Sequence, residues 1–584
     1  MSGAAADTSR VWGLMAREYW RRVKRRLRAG PMYRWRYAGR TPERVLIAPP
    51  DLRLADREIA LEIYAGRYPF AGHFVDTGGA SPFMIDVHHR GWQKSLHGFR
   101  WLRHLREADT ELASANARAL TIDWIETHGR KIEGVAWEPD VTARRIIAWL
   151  QHSTTVLQGA EFPFYRAYLK SIAVQIRYLR SMAPEMKAGE DRLRARIALA
   201  FSALSLPVSN ATLRAASRQL TSELNRQILA DGGHVSRNPY TLLELLADLL
   251  PLRQTYTSQG SETPAALIGA VERMLPALRF FRHQDGNLAH FNGMGATIPD
   301  RVAAILRHDD TAGAPLLNAS HSGYQRMVMG GTTIIADTGA PPPVDVSADA
   351  HAGCLSFEMS SGRQQFIVNS GIDEFGPEDY RSLARVTAAH STVTLNDASS
   401  CRFNNSVKTG ELLGTPLVAG PKKVVCDRHD SDGMQSFRAT HDGYQSRYGV
   451  VHERELVLSH DGSMIEGRDR IARPGGAAVR ADRDKAVIRF HLHPDIQLYR
   501  DEADRFVLTC PGADTWIFTS SQDDVSAEES LFFAGIAGPQ KSNQLVLPFN
   551  ASETPEVTWR LTRTAIGKGV AARAGSSEDQ SDEE

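Results

Sequence analysis

A short polar loop in the first half of the chain has the residue types of a binding site. It reads Asp231-Gly232-Gly233-His234-Val235-Ser236-Arg237-Asn238-Pro239. Its two glycines break a helix because glycine relieves the steric limit on φ. In one interpretation the loop holds a uronate: Arg237 binds the carboxylate, and His234 or Asn238 supplies hydrogen bonds. In the other it is a structural turn in which Asn238 caps the helix that Pro239 opens.

A second stretch, residues 347–396, places histidines beside predicted strands. Apolar and polar residues alternate in CLSFEM, residues 354–359, which predicts a strand. Residues 360–363 predict a hairpin connection, and QQFIVN predicts the returning strand. His351 precedes the first strand and His390 opens the one that follows. The pattern therefore predicts two imidazoles at the edge of a sheet.

Both stretches resemble the heparinase II/III family of polysaccharide lyases. The loop is similar to the family's DGG turn, which an arginine and a proline follow. The resemblance spans roughly residues 90–565 and is more specific in the C-terminal half. It implies an α/α toroid, or helical bundle, followed by an antiparallel β-sandwich. It also implies an acidic polysaccharide in the cleft between the two parts, a usual place for ligands.

The family's proton-transfer residues are altered in this chain. In the better-known lyases a Tyr-His pair follows the proline, and here those places are Thr241 and Leu242. Tyr240 lies one residue early, which turns a side chain by about 100° around a helix. We therefore expect Tyr240 to substitute only if the loop is reshaped. The candidate acid and base are His234 and Tyr240, with His351 completing the cleft from the sandwich.

The resemblance also implies a metal position between strands. Its substrate-facing histidine corresponds to Asp349, and its three zinc ligands correspond to His351, Asn369 and His390. An amide in place of a carboxylate makes a weak zinc site. We predict that no cofactor is required and leave a structural zinc ion open. Alternatively, these three residues are hydrogen-bonded to each other and to the backbone. Asp349 would repel a uronate unless burial raised its pKa.

Other matches to the family suggest further cleft residues. Tyr324, in the run SHSGY, and His441, in the run HDGYQSRYGVVHERELVL, are candidate substrate ligands. His491 and His493 share one face of a predicted strand, where a solvated surface is the alternative to metal binding.

The bulk composition is that of a globular protein with more than one core. The chain has 584 residues, 42% hydrophobic and 23% charged, with a formal net charge of +1. An acidic partner must therefore meet a local basic patch. The four cysteines form no CxxC pair, which predicts free thiols. No nucleic-acid reader motif occurs, so we predict no nucleic-acid partner.

The N-terminus is basic and aromatic. Its arginines alternate with six aromatic residues: Trp12, Tyr19, Trp20, Tyr33, Trp35 and Tyr37. One interpretation is an amphipathic helix in peripheral contact with an anionic membrane or an acidic polymer. The other is a solvated helix whose aromatics pack on the first domain. No apolar core precedes the basic run, which predicts a cytoplasmic protein, whereas the family resemblance implies the cell envelope or periplasm.

The periodicity divides the chain into four segments. Residues 1–40 are the basic segment, 41–310 repeat apolar residues at helical spacing, 311–568 alternate with a period of two, and 569–584 are an acidic tail predicted to be disordered. The periodicity thus predicts a helical toroid or bundle followed by an antiparallel β-sandwich, and the resemblance favours the α/α toroid. Oligomeric state is not predicted.

The leading hypothesis is a polysaccharide lyase that cleaves a uronate-containing glycan by β-elimination. The alternative is a non-catalytic glycan-binding or envelope-biogenesis protein that retains the lyase fold. The substitutions at Asp349, Asn369 and Thr241 favour the alternative. A hydrolase with paired carboxylates is a third option.

Overall fold

The computed structural model describes residues 2–30, 35–308, 315–404, 407–431, 433–474 and 485–564. Helices occupy the first part of the chain and antiparallel strands the second, which confirms the predicted fold class. The predicted acidic tail, residues 569–584, lies outside the described residues. None of the described helices is long and apolar enough to cross a membrane.

The helical domain follows one long N-terminal helix. Asp56 caps α2 by accepting a hydrogen bond from the Glu58 amide, and Pro139 opens α6. The helices are α1 (Ser2–Ala29), α2 (Arg57–Tyr64), α3 (Arg90–Gly98), α4 (Leu102–Ala108), α5 (Glu111–Thr127), α6 (Pro139–Gln151), α7 (Ser153–Leu157), α8 (Phe162–Met182), α9 (Glu190–Ser205), α10 (Asn210–Gln227), α11 (Pro239–Ser258), α12 (Ala265–Phe280) and α13 (Pro299–Leu306). A small hairpin, β1 (Arg67–Phe70) and β2 (His73–Asp76), lies between α2 and α3.

Aromatic packing holds the helical core together. Trp149 stacks on Tyr168 at 5.1 Å and meets Trp124 edge-on at 5.7 Å. The buried Arg145 lies 3.9 Å from the centre of the Trp124 ring and donates to the carbonyls of His97 and Ala136. The cation is therefore satisfied without an acidic partner.

The strands of the second domain come from residues 318–564. They are β3 (Asn318–Ala319), β4 (Tyr324–Met329), β5 (Thr332–Asp337), β6 (Phe357–Ser361), β7 (Gln364–Val368), β8 (Val393–Leu395), β9 (Arg402–Phe403), β10 (Leu417–Ala419), β11 (Val424–Ser431), β12 (Met434–His441), β13 (Val451–Leu458), β14 (Met464–Ala472), β15 (Lys485–Leu492), β16 (Gln497–Arg500), β17 (Phe506–Thr509), β18 (Thr515–Ser520), β19 (Ser526–Phe532), β20 (Gln540–Asn550) and β21 (Glu556–Thr564). Short helices α14 (Glu378–Ala384), α15 (Val407–Leu413) and α16 (Gln445–Tyr448) interrupt them.

Two large antiparallel sheets form the sandwich. One has the order β11-β12-β13-β14-β21-β18-β17-β16, and the other β19-β20-β15-β7-β6-β5-β4-β3, with β8 pairing β15. Alternate residues of β13 are buried, and Phe357, Phe490 and Trp559 pack between the sheets. The second sheet also faces the helical domain, because Arg326 on β4 donates to the carbonyls of Phe280 and Arg282.

Candidate functional site

Two adjoining cavities form a cleft where the helical domain meets the sandwich. The smaller has a volume of about 550 Å³ and the larger about 1000 Å³. Five residues line both: Arg144, Glu190, Tyr240, Glu374 and Arg381. The cleft lies where the family resemblance places a substrate.

The side chains that line the two cavities differ in formal charge. The smaller is lined by seven acidic and four basic side chains, and the larger by five acidic and eight basic. In the smaller, these are Glu18, Asp140, Glu190, Asp191, Asp345, Asp349 and Glu374, against Arg25, Arg144, Lys187 and Arg381. In the larger, they are Asp56, Glu107, Glu190, Glu244 and Glu374, against Arg53, Arg57, Lys94, Arg100, Arg103, Arg144, Arg301 and Arg381. A long ligand would meet a change of sign along the cleft.

The DGG loop is a joint between the domains. A Cβ on Gly232, whose φ is +84°, would lie 2.0 Å from the Arg273 carbonyl oxygen. One on Gly233 would lie 2.6 Å from the Cβ of Ser322 in the sandwich. Asp231 accepts hydrogen bonds from the Ser322 amide at 2.6 Å and its hydroxyl at 3.0 Å. The glycines are required here because the backbone of the joint lies against both domains.

Arg237 does not bind a carboxylate from the cleft, contrary to prediction. Its guanidinium lies 2.6 Å from the Asp337 carboxylate. Its other N–H groups donate to the carbonyls of Ser322, Gly323, Gly339 and Ala340, and these bonds use all five donors of a guanidinium. Burial alone would lower its pKa, but the Asp337 carboxylate raises the pKa above its usual range.

His234 lines the smaller cavity, but both of its ring nitrogens are bonded within the protein. Nδ1 accepts from the Ser236 amide at 3.1 Å, and Nε2 therefore carries the proton and donates to Gln227 Oε1 at 2.8 Å. Burial lowers the pKa of His234 to about 4. The imidazole is neutral at pH 7 and has no free lone pair for a substrate proton.

Asn238 and Tyr240 both face the cleft. Asn238 Oδ1 caps α11 by accepting from the Tyr240 amide at 2.9 Å, as the structural interpretation of the loop predicts. The Tyr240 ring lines both cavities, with the Arg301 guanidinium 6.0 Å from its centre. Burial, and then the nearby Glu244 carboxylate, raise the pKa of Tyr240. Its hydroxyl is thus protonated at neutral pH and can donate a hydrogen bond, but the raised pKa makes it a weaker acid than an ordinary tyrosine.

Asp349 occupies the cavity wall opposite the loop. It is exposed and lines the smaller cavity together with Asn238. Gly293, at φ +91°, lets the two chain segments approach, since a Cβ there would lie 2.8 Å from the Asp349 carbonyl oxygen. The position to which the resemblance assigns the family's substrate-facing histidine therefore carries a carboxylate that lines the smaller cavity.

His351 turns away from the cleft and pairs with His390. It is absent from the residues that line either cavity. His390 Nδ1 donates to the Val386 carbonyl at 2.8 Å, so its Nε2 accepts from His351 Nδ1 at 2.9 Å. His351 Nε2 is then an unprotonated nitrogen with no hydrogen-bond partner among the described residues. Burial, and then His390, lower the pKa of His351. This side chain does not complete the cleft as predicted.

The predicted metal position does not fit a zinc ion. Asn369 Oδ1 accepts from the Ser391 amide at 3.1 Å, and its Nδ2 donates to Glu358 at 3.3 Å. The bond between His351 and His390 uses one nitrogen of each ring. Within the residues that the structure describes, no group of three or more His, Cys, Asp and Glu side chains could hold a metal. The alternative interpretation, hydrogen bonding in the core, describes these contacts.

Tyr324 and His441 are buried away from the cleft, so they do not bind substrate as predicted. The Tyr324 hydroxyl donates to the Arg237 carbonyl at 2.7 Å, and its ring lies under the Arg237 guanidinium at 4.6 Å. His441 Nε2 contacts His452 Nδ1 at 3.3 Å, and His452 contacts Asp469 at 2.8 Å. Both positions belong to the structural core. His491 is likewise bonded, to Ser530 and the Ala388 carbonyl.

Sequence reasoning missed the arginine cluster at the floor of the larger cavity. The buried carboxylate of Glu244 on α11 lies 2.5 Å from Arg301, 2.8 Å from Arg100, 3.5 Å from Arg53 and 3.9 Å from Arg194. Glu244 and Asp248 lie four residues apart in the apolar helix YTLLELLADLL. Two acidic residues on one face of an apolar helix were the signal that could have predicted buried cations.

Comparison with known proteins identifies a family model and a relative that match this chain. Residues 311–560 match the family model described as heparinase II/III-like, C-terminal. FtsZ-localized protein C of Caulobacter vibrioides is 31% identical over 549 residues, covering 92% of this chain and 93% of that protein. The chain belongs to the heparinase II/III-like family.

Solved structures extend the match to both domains. The crystal structure of heparinase III covers 91% of this heparinase II/III-like chain and 88% of its own, with a TM-score of 0.67 at 13% identity. The heparan sulfate lyase HepC of Pedobacter heparinus, in a mutant form, covers 95% and 88%, with a TM-score of 0.60 at 15% identity. At these identities the likeness shows the fold, a helical toroid joined to a β-sandwich.

Proposed function

We propose that this protein is a non-catalytic glycan-binding protein of envelope biogenesis that retains the lyase fold. The observation that supports this proposal is that hydrogen bonds within the protein occupy the predicted catalytic groups. His234 has both nitrogens bonded, and Arg237 has all five donors bonded. Asp349, which the resemblance places where the family has a histidine, lines the smaller cavity. A lyase must neutralise a carboxylate and remove a proton, and these residues do not supply the groups.

The charge of the cleft supports a ligand other than a simple polyuronate. A uronate chain in the smaller cavity would meet seven acidic side chains and four basic ones. Bringing like charges together costs free energy, most of all where water is excluded. The smaller cavity therefore favours neutral or amine-bearing sugars, while the larger cavity accepts anionic groups.

We further propose that the protein localises with FtsZ. The support is the relative that carries this property in its name and is 31% identical over nearly the whole of both chains. A fluorescent fusion of this protein, imaged together with labelled FtsZ, tests the proposal. Coincident signals are expected, and a uniform distribution would contradict it.

Lyase activity is the second candidate function, and one observation favours it. Tyr240 lines both cavities, and its hydroxyl, which is protonated at neutral pH, can donate a hydrogen bond to a leaving oxygen. Glycan turnover would then depend on a carboxylate-binding group from the larger cavity, such as Arg100 or Arg301. This candidate also requires a base, and His234 does not supply it because both of its ring nitrogens are bonded within the protein.

The two candidates separate in one experiment. Purified full-length protein is titrated with a panel of acidic, neutral and amino-sugar glycans by calorimetry. The same mixtures are followed for the ultraviolet absorbance of an unsaturated sugar. Heat of binding without absorbance supports the proposal. A rise in absorbance that Tyr240→Phe abolishes supports the lyase, and neither signal with any glycan would contradict both.

A further inference from the structure

Helix α1 presents a continuous apolar face to solvent. Trp12, Ala16, Tyr19, Trp20, Val23 and Leu27 recur at spacings of three, four and seven residues, which places them on one side of the helix. The side chains of Trp12, Tyr19, Trp20 and Leu27 are 65%, 60%, 62% and 59% exposed. The interpretation in which the aromatics pack on the first domain is therefore wrong for these side chains of α1, whereas Tyr37 does pack there, against Tyr178.

The opposite, charged face of α1 attaches the helix to the protein. Leu14 and Glu18 are buried on that side. The Glu18 carboxylate pairs with Arg25 at 2.8 Å and with Lys187 of the helical domain at 3.8 Å. Arg22 donates to the Leu412 carbonyl of the sandwich at 2.9 Å. The helix is thus fixed to both domains by polar contacts, and its apolar face is exposed with respect to the part of the chain that the structure describes.

A second contact fixes the C-terminal end of α1 in this rotation. Arg28 lies 3.0 Å from the Glu185 carboxylate and donates to the Ser181 carbonyl. Lys24 lies 3.5 Å from the other oxygen of Glu185. Because these contacts lie along one side, the aromatic face cannot rotate inward without losing several ion pairs.

The charges around the aromatic face have one sign. Glu18 is the only acidic residue of segment 11–30, and it points into the protein. Arg17 and Lys24 lie beside one edge of the aromatic face and Arg26 beside the other, and all three are exposed. Trp and Tyr prefer the boundary between lipid headgroups and acyl chains, and basic side chains are attracted to anionic headgroups.

An exposed contiguous apolar patch on a soluble domain marks an interaction site. A nucleic-acid site would place cations at the centre of the face, whereas here the centre is aromatic and aliphatic with cations at the edges. A second copy of this basic helix would bring like charges together. We propose that the outer face of α1 docks on an anionic lipid surface and holds the protein in peripheral contact with a membrane.

Vesicle sedimentation tests this with the full-length protein. We expect binding to vesicles of phosphatidylglycerol and phosphatidylcholine, and weak binding to phosphatidylcholine alone. Trp12→Glu/Trp20→Glu should lower the partition coefficient about tenfold or more, because both side chains leave the interface. Phe162→Glu is the matched control: Phe162 is 74% exposed at the start of α8, away from α1, and this variant should bind like the wild type.

Equal sedimentation of wild type and the double variant would overturn the proposal. So would self-association through α1, seen as a dimer in analytical ultracentrifugation that the double variant abolishes, or tighter binding to duplex DNA than to the vesicles. Far-ultraviolet circular dichroism of each variant checks that the fold is intact. The assay contains no glycan, so its failure leaves the proposed glycan binding untouched, and the reverse also holds.

Discussion

The guanidinium of Arg237 and the carboxylate of Asp337 lie 2.6 Å apart, buried between the helical domain and the sandwich. A residue predicted to bind substrate is thus the main polar contact of the domain joint. This relationship explains why the loop resembles that of the lyases although its arginine is unavailable to a ligand.

Arg237→Met should destabilise the protein by about 3–5 kcal/mol, because it leaves the Asp337 charge buried without its partner. Urea unfolding followed by tryptophan fluorescence measures the change. Arg40→Met is the matched control: the side chains of Arg40 and its partner Glu43 are 88% and 74% exposed. Loss of such a surface pair costs at most about 1 kcal/mol. Equal stability of the two variants would contradict the structural role of Arg237.

Gly233→Ala should destabilise the joint by about 1–3 kcal/mol, since the new methyl group would overlap the Ser322 side chain. Gly13→Ala should have the opposite sign. Gly13 lies in α1 with no atom within 4 Å of an added Cβ, and alanine favours a helix by about 1 kcal/mol over glycine. Thermal unfolding of both variants measures the contrast. If Gly233→Ala is as stable as wild type, the close approach of Ser322 does not explain the glycine at position 233.

Stability should fall as the pH decreases from 7 to 5. Burial lowers the pKa of His234 and of His390 to about 4, whereas an unfolded histidine titrates near pH 6.5. Over this range the unfolded chain binds protons that the folded chain excludes, so each residue should cost about 2 kcal/mol at pH 5. Unfolding free energies at the two pH values measure the loss.

Substituting one histidine assigns its share of that loss. His234→Gln should make the difference between pH 7 and pH 5 smaller by about 2 kcal/mol. The control is His88→Gln, since the His88 side chain is 89% exposed. Its unfolding free energy at pH 7 should equal that of wild type, because an exposed side chain has few contacts to lose. A His234→Gln protein with an unchanged pH dependence would show that His234 titrates normally in the fold.

Asp349→Asn should strengthen the binding of uronate-containing glycans and leave neutral glycans unaffected. Removing one negative charge from the cavity wall lowers the repulsion, by about twofold to tenfold in affinity at low salt. Calorimetric titrations at two ionic strengths measure this. Asp504→Asn, at a side chain that is 79% exposed and does not line the cleft, is the control. An equal gain for neutral glycans would mean that charge is not the cause.

Much of the fold was predictable because the periodicity of apolar residues changes from helical spacing to alternation between the two domains. The cap at Asn238 was also predictable, because a helix cap depends on residues that are neighbours in the sequence. The ion pair of Arg237 was not predictable, because its partner Asp337 is 100 residues further along the chain. Nothing in the local sequence distinguishes an arginine that meets a ligand from one that meets another domain.

The orientation of α1 shows a second limit. The sequence predicts an amphipathic helix, but an amphipathic helix usually buries its apolar face. Here the polar face is buried because Glu18 meets Arg25 and Lys187. Likewise, the sequence placed His351 in the cleft, but a bond from His390 to the Val386 carbonyl fixes the pair in the core. Tertiary contacts therefore determine which face of α1 is buried and on which side of the sandwich the His351 side chain lies.

The most direct test of glycan binding without turnover follows the ultraviolet absorbance of unsaturated sugars while the purified protein is incubated with acidic glycans. A heparin lyase serves as the positive control, and calorimetry on the same samples reports binding. We expect glycan binding with no increase in absorbance above a blank. An absorbance that rises with enzyme concentration and disappears in Tyr240→Phe would contradict it and would establish a working lyase.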